Sequence, residues 1–496
     1  MIWREVNNLH ALFSIMAPMA SNQEYFNVVY NFVEVPSATG WRRFETYAML
    51  VHTLVYTPTG GSGGRGHISR AALRDIAQTR TPLDVFPNLH TLKWHSPRLS
   101  SEVNEEDIPI PSDAALFMHA GIRSLEFSLH ELLPLSQRRD FLDDIPQRTP
   151  FLTKIDLRTT SNTSVIDLED NIRALAHHLP SLQLVCLPKG YLTRRIAEVL
   201  STSPALHELQ LGMNWDEDYD EPRENFVPVL PAGRFPALNK LTVAVSFADA
   251  ACLINTVTPK NGLDEIFLTS QNPSREDMER VLQICANKHK RIQRLNIQCK
   301  DDEQHPPFTF QTLCSLKKLS SLTALEISHR SPIVMSPAEF ISTISSIPQL
   351  TRLCFNQAPL YCETASLGLA VLPVIARSCK HLTELKLFLD ATLPLPDEES
   401  YDREDFFVKL KYLSLGVSVI TQKACQPVAM FLATHLPFGC TLLYGGDWIV
   451  NMKIAVRHGE LFGIARKRIE LWCHVKSLVQ FSERIRIQER RWASAS

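Results

Sequence analysis

Apolar and polar positions alternate in one short phrase, L-x-x-L-x-L, which returns about every 30 residues along the chain. It reads Val51, Leu54, Tyr56; Leu89, Leu92, Trp94; Ile122, Leu125, Phe127; Leu152, Ile155, Leu157; Leu182, Val185, Leu187; and Leu206, Leu209, Leu211. It continues as Leu238, Leu241, Val243; Leu263, Ile266, Leu268; Ile292, Leu295, Ile297; Leu322, Leu325, Ile327; Leu350, Leu353, Phe355; Leu382, Leu385, Leu387; and Leu410, Leu413, Leu415, with a degenerate copy near Leu443. The period of two within each phrase predicts a strand. Between phrases the pattern switches to helical spacing: Ile172, Leu175, Ala176 and Leu179, or Met278, Val281, Leu282 and Cys285, fall on one helix face. Looser versions run over 340–347 and over 369–376, the latter interrupted by Pro373. Pairs such as Phe86-Pro87, Thr149-Pro150 and Phe235-Pro236 precede the phrases, where proline ends a helix and presets an extended entry.

A strand plus a helix at this period predicts an α/β leucine-rich-repeat solenoid, a horseshoe of about 13 repeats. Parallel strands would line its concave face and helices its convex face. Residues 51–445 are assigned to the solenoid, residues 1–50 to an N-terminal helical cap and residues 446–496 to a C-terminal amphipathic cap helix. The asparagine or cysteine usual three residues past the last leucine is scarce. Asn214 fits, whereas Pro97, Thr160, Gly190 and Ser246 stand elsewhere, so the turns should be irregular.

Two residues after the first leucine, the side chains of the phrase should face outward. That column reads Thr53, Thr91, Ser124, Lys154, Leu184, Glu208, Lys240, Glu265, Arg294, Ala324, Arg352, Glu384, Tyr412. The sign alternates from Glu208 to Arg294 and again at Arg352 and Glu384. Neighbouring strands lie about 4.8 Å apart, so the face should neutralise itself and is no phosphate-binding stripe. Long insertions after the phrases, at 57–70, 96–113, 212–232 and 390–405, share one rim. Three are acidic, and two carry the candidate partner-binding residues Trp215, Asp216, Asp218, Tyr219, Asp220, Glu398, Glu399, Tyr401 and Asp402. A basic protein partner would suit such a rim.

Composition narrows the picture further. The chain has 496 residues and a formal net charge of −2, which gives no pull toward nucleic acid or an anionic membrane. Eleven cysteines are scattered without a C-x-x-C pair, as expected of buried reduced thiols in a cytoplasmic or nuclear protein. The tract Gly60–Gly66 satisfies both G-x-S-x-G and G-x-G-x-x-G, but a run so rich in glycine matches almost any glycine pattern and reads as a linker. No metal, cofactor or catalytic constellation is expected, and the chain reads as a non-enzyme. Residues 463–490 place Ile464, Leu471, Val475, Leu478, Val479 and Ile485 on one helical face. The other face should be solvated and basic, with Arg466, Lys467, Arg468, Lys476, Arg484, Arg486, Arg490 and, just beyond, Arg491.

The opening Ile2-Trp3-Arg4-Glu5-Val6, then Val35-Pro36, Trp41-Arg42-Arg43-Phe44 and phrases such as Phe86-Pro87-Asn88-Leu89, resemble the F-box/leucine-rich-repeat proteins of mushroom-forming fungi. In that family a similar tryptophan-containing segment follows the F-box. The resemblance implies the substrate-recognition part of an F-box-type (SCF) ubiquitin-ligase receptor. The F-box should precede Trp3, and no such box stands in this sequence, so a Skp-type adaptor and cullin are partners only if one lies upstream. A free-standing scaffold or inhibitor is the alternative. A GTPase-activating role fits less well, because the leucine-rich-repeat regulators of that kind have an acidic tail and this tail is basic.

Overall fold

The computed structural model describes residues 3–24, 27–57, 66–95, 109–129, 133–159, 164–212, 229–259, 262–270, 273–300, 305–395, 406–445, 448 and 459–495. The chain divides into two compact units, residues 1–238 and 239–496. In each, a parallel ladder of short strands alternates with helices, as a leucine-rich-repeat solenoid requires.

In the first unit the strands are β1 (Glu5–Val6), β2 (Met19–Glu24), β3 (Asn27–Phe32), β4 (Thr53–Tyr56), β5 (His67–Ile68), β6 (Thr91–Trp94), β7 (Ser124–Leu129), β8 (Lys154–Thr159), β9 (Leu184–Leu187) and β10 (Glu208–Leu211). Its helices are α1 (Leu9–Phe13), α2 (Ala38–Ala48), α3 (Arg70–Thr79), α4 (Leu135–Arg148), α5 (Glu169–His178) and α6 (Arg194–Leu200). The ladder runs β1-β4-β6-β7-β8-β9-β10, and phrase positions pair in register: Leu54 with Leu92, Leu92 with Leu125, Leu125 with Ile155. The phrase leucines are buried as a continuous spine.

Residues 1–50, expected as a helical cap, are only partly helical. They contain α1 and α2, but β1 joins the ladder beside β4, while β2 and β3 form an antiparallel hairpin that β5 extends. Val28-Val29-Tyr30 favours this extended form. An aromatic cluster closes this end: Tyr56 stacks on Trp94 at 4.2 Å, Trp94 meets Phe117 at 5.6 Å, and Phe117 meets Phe86 at 5.5 Å and Phe13 at 6.5 Å.

The second unit holds β11 (Lys240–Ala244), β12 (Glu265–Ser270), β13 (Arg294–Cys299), β14 (Ala324–Ser328), β15 (Arg352–Phe355), β16 (Glu384–Leu387), β17 (Tyr412–Ser414) and β18 (Thr441–Leu443), paired in that order. Its helices are α7 (Phe247–Thr256), α8 (Arg275–Lys288), α9 (Phe310–Leu313), α10 (Pro337–Ser345), α11 (Val371–Ser378), α12 (Cys425–His435) and α13 (Gly459–Ala495). Pro373 sits in the first turn of α11, where its missing N–H costs nothing.

Side chains satisfy backbone groups between the described repeats. Thr323, Thr351 and Thr383 each donate a hydroxyl to the carbonyl of the preceding repeat, at 3.1, 2.9 and 2.9 Å. Asn356 accepts from the His329 N–H at 2.7 Å and donates to the Ser331 carbonyl at 2.9 Å. Ser418, three residues past Leu415, is fully buried and accepts from the Leu389 N–H at 2.9 Å. It takes the place that asparagine usually holds. His289 is likewise a structural histidine, bridging the Leu263 N–H and the Ile254 carbonyl. Gly416 lies at φ 51° against the Gln357 carbonyl, where any Cβ would collide.

Two residues expected on a solvated basic face of α13, Arg468 and Arg486, are instead engaged with the body of the protein. Arg468, assigned to a solvated basic face, is buried and donates to the carbonyls of Cys362, Glu363 and Val417. The loops after β15 and β17 turn carbonyls toward the helix, and a guanidinium with five donors can serve several of them at once. Beside it Trp472 donates to the Ser418 carbonyl at 2.9 Å and Trp448 to the Pro359 carbonyl at 3.2 Å. Leu360, Cys362, Phe388, Val417, Trp448, Leu461 and Ala465 form a second small core there. The first half of α13 therefore covers the rim beyond β15, β16 and β17. Its second half follows α12, with Glu483 accepting from the Gly439 N–H and Arg486 donating to the Ala433 carbonyl.

Candidate functional site

The face of the ladder turned away from the helices carries two columns of side chains, one from each outward position of the phrase. In the second unit the first column forms the pairs that its alternating signs predict. Lys240 and Arg294 both reach Glu265, at 3.5 and 3.6 Å. Arg352 bridges Glu326 at 3.4 Å and Glu384 at 3.2 Å, and Lys386 closes the row on Glu384 at 3.2 Å. These groups are part-exposed, so each pair contributes only about 0.2–1 kcal/mol. Phe267 and Asn296 lie half-buried among them, and Tyr412 is exposed toward the end of the row. Cys354 hydrogen-bonds with Arg352, and burial raises its thiol to about 11, so it is no nucleophile at neutral pH.

The first unit concentrates its charge instead. Glu126 on β7 is buried and receives His95 at 3.0 Å, Lys93 at 3.3 Å and Arg158 from three sides. Burial would raise its pKa. The hydrogen bond from His95 and the charges of Arg158, His95 and Lys93 outweigh it and bring the carboxyl down to about 2. Asp156, also buried, holds Arg158 from the other side at 3.4 Å. Cys186 follows on β9 and donates to Gln210 at 3.3 Å; burial pushes its thiol far up.

The charge alternation of the first outward column does not disclose the network around Glu126. It is built from the next positions, Lys93, Glu126 and Asp156, with His95 and Arg158 two residues further on. Those letters recur at the phrase period and would have disclosed it. The candidate rim residues Trp215, Asp216, Asp218, Tyr219, Asp220, Glu398, Glu399, Tyr401 and Asp402 all lie outside the described residues. So do Gly60 to Gly64 of the glycine tract, Asn214, and Glu102, Glu105, Glu106 and Asp107 of the 96–113 insertion.

Among the described residues, no group of three or more His, Cys, Asp or Glu side chains is placed to hold a metal ion. The described cysteines are free thiols, mostly buried, with Cys473 exposed. No described helix is long and apolar enough to cross a membrane. Among the described residues this face offers shape and charge on a rigid frame: fixed ion pairs and a few aromatic and amide groups.

No protein-family model matches the chain, and no curated protein matches it. Among solved structures it is similar to one described as the crystal structure of the Rad7 and Elc1 complex in yeast. The identity is 14%, the match covers 68% of this chain and 79% of that chain, and the TM-score is 0.41.

Proposed function

We propose that this chain is a protein-recognition module that acts as the substrate-binding part of an F-box-type ubiquitin-ligase receptor. The observation that carries the recognition role is the open face of the ladder, where polar and aromatic side chains stand on rigid strands at fixed spacing. Such a surface suits a protein partner, because its charges are already neutralised and its affinity must come from shape and a few anchors. Support for the ligase context is the opening Trp3-Arg4-Glu5 segment and its likeness to the sequence that follows an F-box. The acidic insertions with Trp215, Tyr219 and Tyr401 are the second proposed contact, suited to a basic partner.

Proximity labelling with the natural full-length protein tests this reading. Enrichment of a Skp-type adaptor, a cullin and proteasome components is expected. Enrichment of one or a few proteins without those components would replace the ligase reading by that of a free-standing scaffold or inhibitor. Reversing Asp216, Asp218 and Asp220 to lysine together should abolish capture of a basic partner; unchanged capture would exclude the rim.

A further inference from the structure

The last third of α13 carries an apolar stripe on the side opposite the protein body. Leu461, Ala465, Arg468, Trp472, Val475 and Val479 are buried against the repeats and α12. At about 100° per residue, Phe481, Ile485 and Trp492 lie about 180–220° around the helix from Trp472. They are 62%, 41% and 65% exposed. With half-buried Leu478 and exposed Gln488 they fall at alternating spacings of three and four residues, the a and d positions of a coiled-coil seam. A surface helix that only covers a core has no need of such a stripe on its outer side.

The flanking charges select the occupant. Arg484 and Glu489, both exposed, stand at the two positions that border the seam, five residues apart. In a parallel pair of identical helices, the residue before one a position meets the residue five further on in the partner. Arg484 of each copy would then face Glu489 of the other, twice by symmetry. An antiparallel pair would instead set the Arg484 and Arg491 flanks of both copies together. We infer that the outer face of α13 is the seam of a parallel homodimer, centred on Phe481 and Ile485 and held in register by Arg484–Glu489 pairs. The helix is already ordered by its packing on α12, so association does not have to meet the cost of forming it. The seam spans only about two heptads, which makes the dimer reversible.

Sedimentation equilibrium of the full chain over a wide concentration range tests this. A monomer–dimer equilibrium is expected, and Phe481→Asp or Ile485→Asp should abolish it while leaving the melting curve of the dilute, monomeric chain unchanged, since both side chains are exposed. Arg484→Glu and Glu489→Arg should each weaken the dimer about tenfold or more by opposing like charges. The double variant R484E/E489R should restore it. A strictly monomeric chain, a dimer indifferent to Phe481→Asp, or a double variant no better than the singles would each overturn the inference. So would a monomer that sediments with phosphatidylserine vesicles through these residues, since the face would then belong to a membrane.

Discussion

The outward faces of the two units handle charge in opposite ways. In the first, one buried carboxylate, Glu126, gathers Lys93, His95 and Arg158 from the two neighbouring repeats. In the second, part-exposed charges form a row in which Glu265 and Arg352 each serve two partners. The phrase that builds the strands is the same, so the difference lies in the side chains that surround the charge. Where neighbours exclude water, a carboxylate must be matched completely, and its removal leaves cations uncompensated. Where water remains, the same pairs are worth little and can be exchanged. The first face is thus a fixed structural feature, and the second is free to be specialised toward a partner.

The sharpest test of this contrast is Glu126→Ala. A carboxyl lowered from 4.5 to about 2 is stabilised in the fold by about 3 kcal/mol, and urea unfolding should show a loss of that order. The pH dependence has a defined sign. Because the folded pKa is depressed, the contribution is present above the ordinary carboxylate pKa and is lost as pH falls from about 4.5 to about 2. Glu126→Gln should flatten that part of the acid-denaturation curve, and an unaltered curve would contradict the network. A smaller effect of opposite sign is expected in the core beneath. An apolar cavity of about 20 Å³ lies among Phe127, Leu157, Leu175 and Val185. Val185→Ile should fill it and gain about 0.5–1 kcal/mol in thermal unfolding. The smallest effect is expected at Glu265→Gln, about 0.2–1 kcal/mol and reduced at 1 M salt. If that variant cost as much as Glu126→Ala, the distinction between the two faces would collapse.

The strand phrase made the repeat architecture readable, because burial at a period of two, repeated about every 30 residues, leaves few other folds. The pairing of Lys240, Glu265 and Arg294 was readable for the same reason, since register follows from the aligned leucines. What remained hidden depends on contacts across long stretches of chain. Nothing near Arg468 announces that carbonyls of residues 362, 363 and 417 await it. The helical periodicity of α13 counted its charge as solvated because it stands among other basic residues. Asn356 and Ser418 were missed in a different way. Each satisfies backbone groups of the preceding repeat: Ser418 does so from the consensus position with a different residue type, and Asn356 with the usual residue type from a different position.

The guanidinium of Arg468 also sets a schedule for synthesis. Repeats of a solenoid can pack as they leave the ribosome, each on the one before. The loop carbonyls at residues 362 and 363 are made 106 and 105 residues ahead of the side chain that takes them up. At about 5–20 residues per second, the loops after β15 wait roughly 5–20 s for their cover. During that interval the apolar surface around Leu360 and Phe388 is open to chaperones. Ribosome-bound chains halted shortly before Trp448 should therefore bind a holdase more strongly than chains released after α13 is complete.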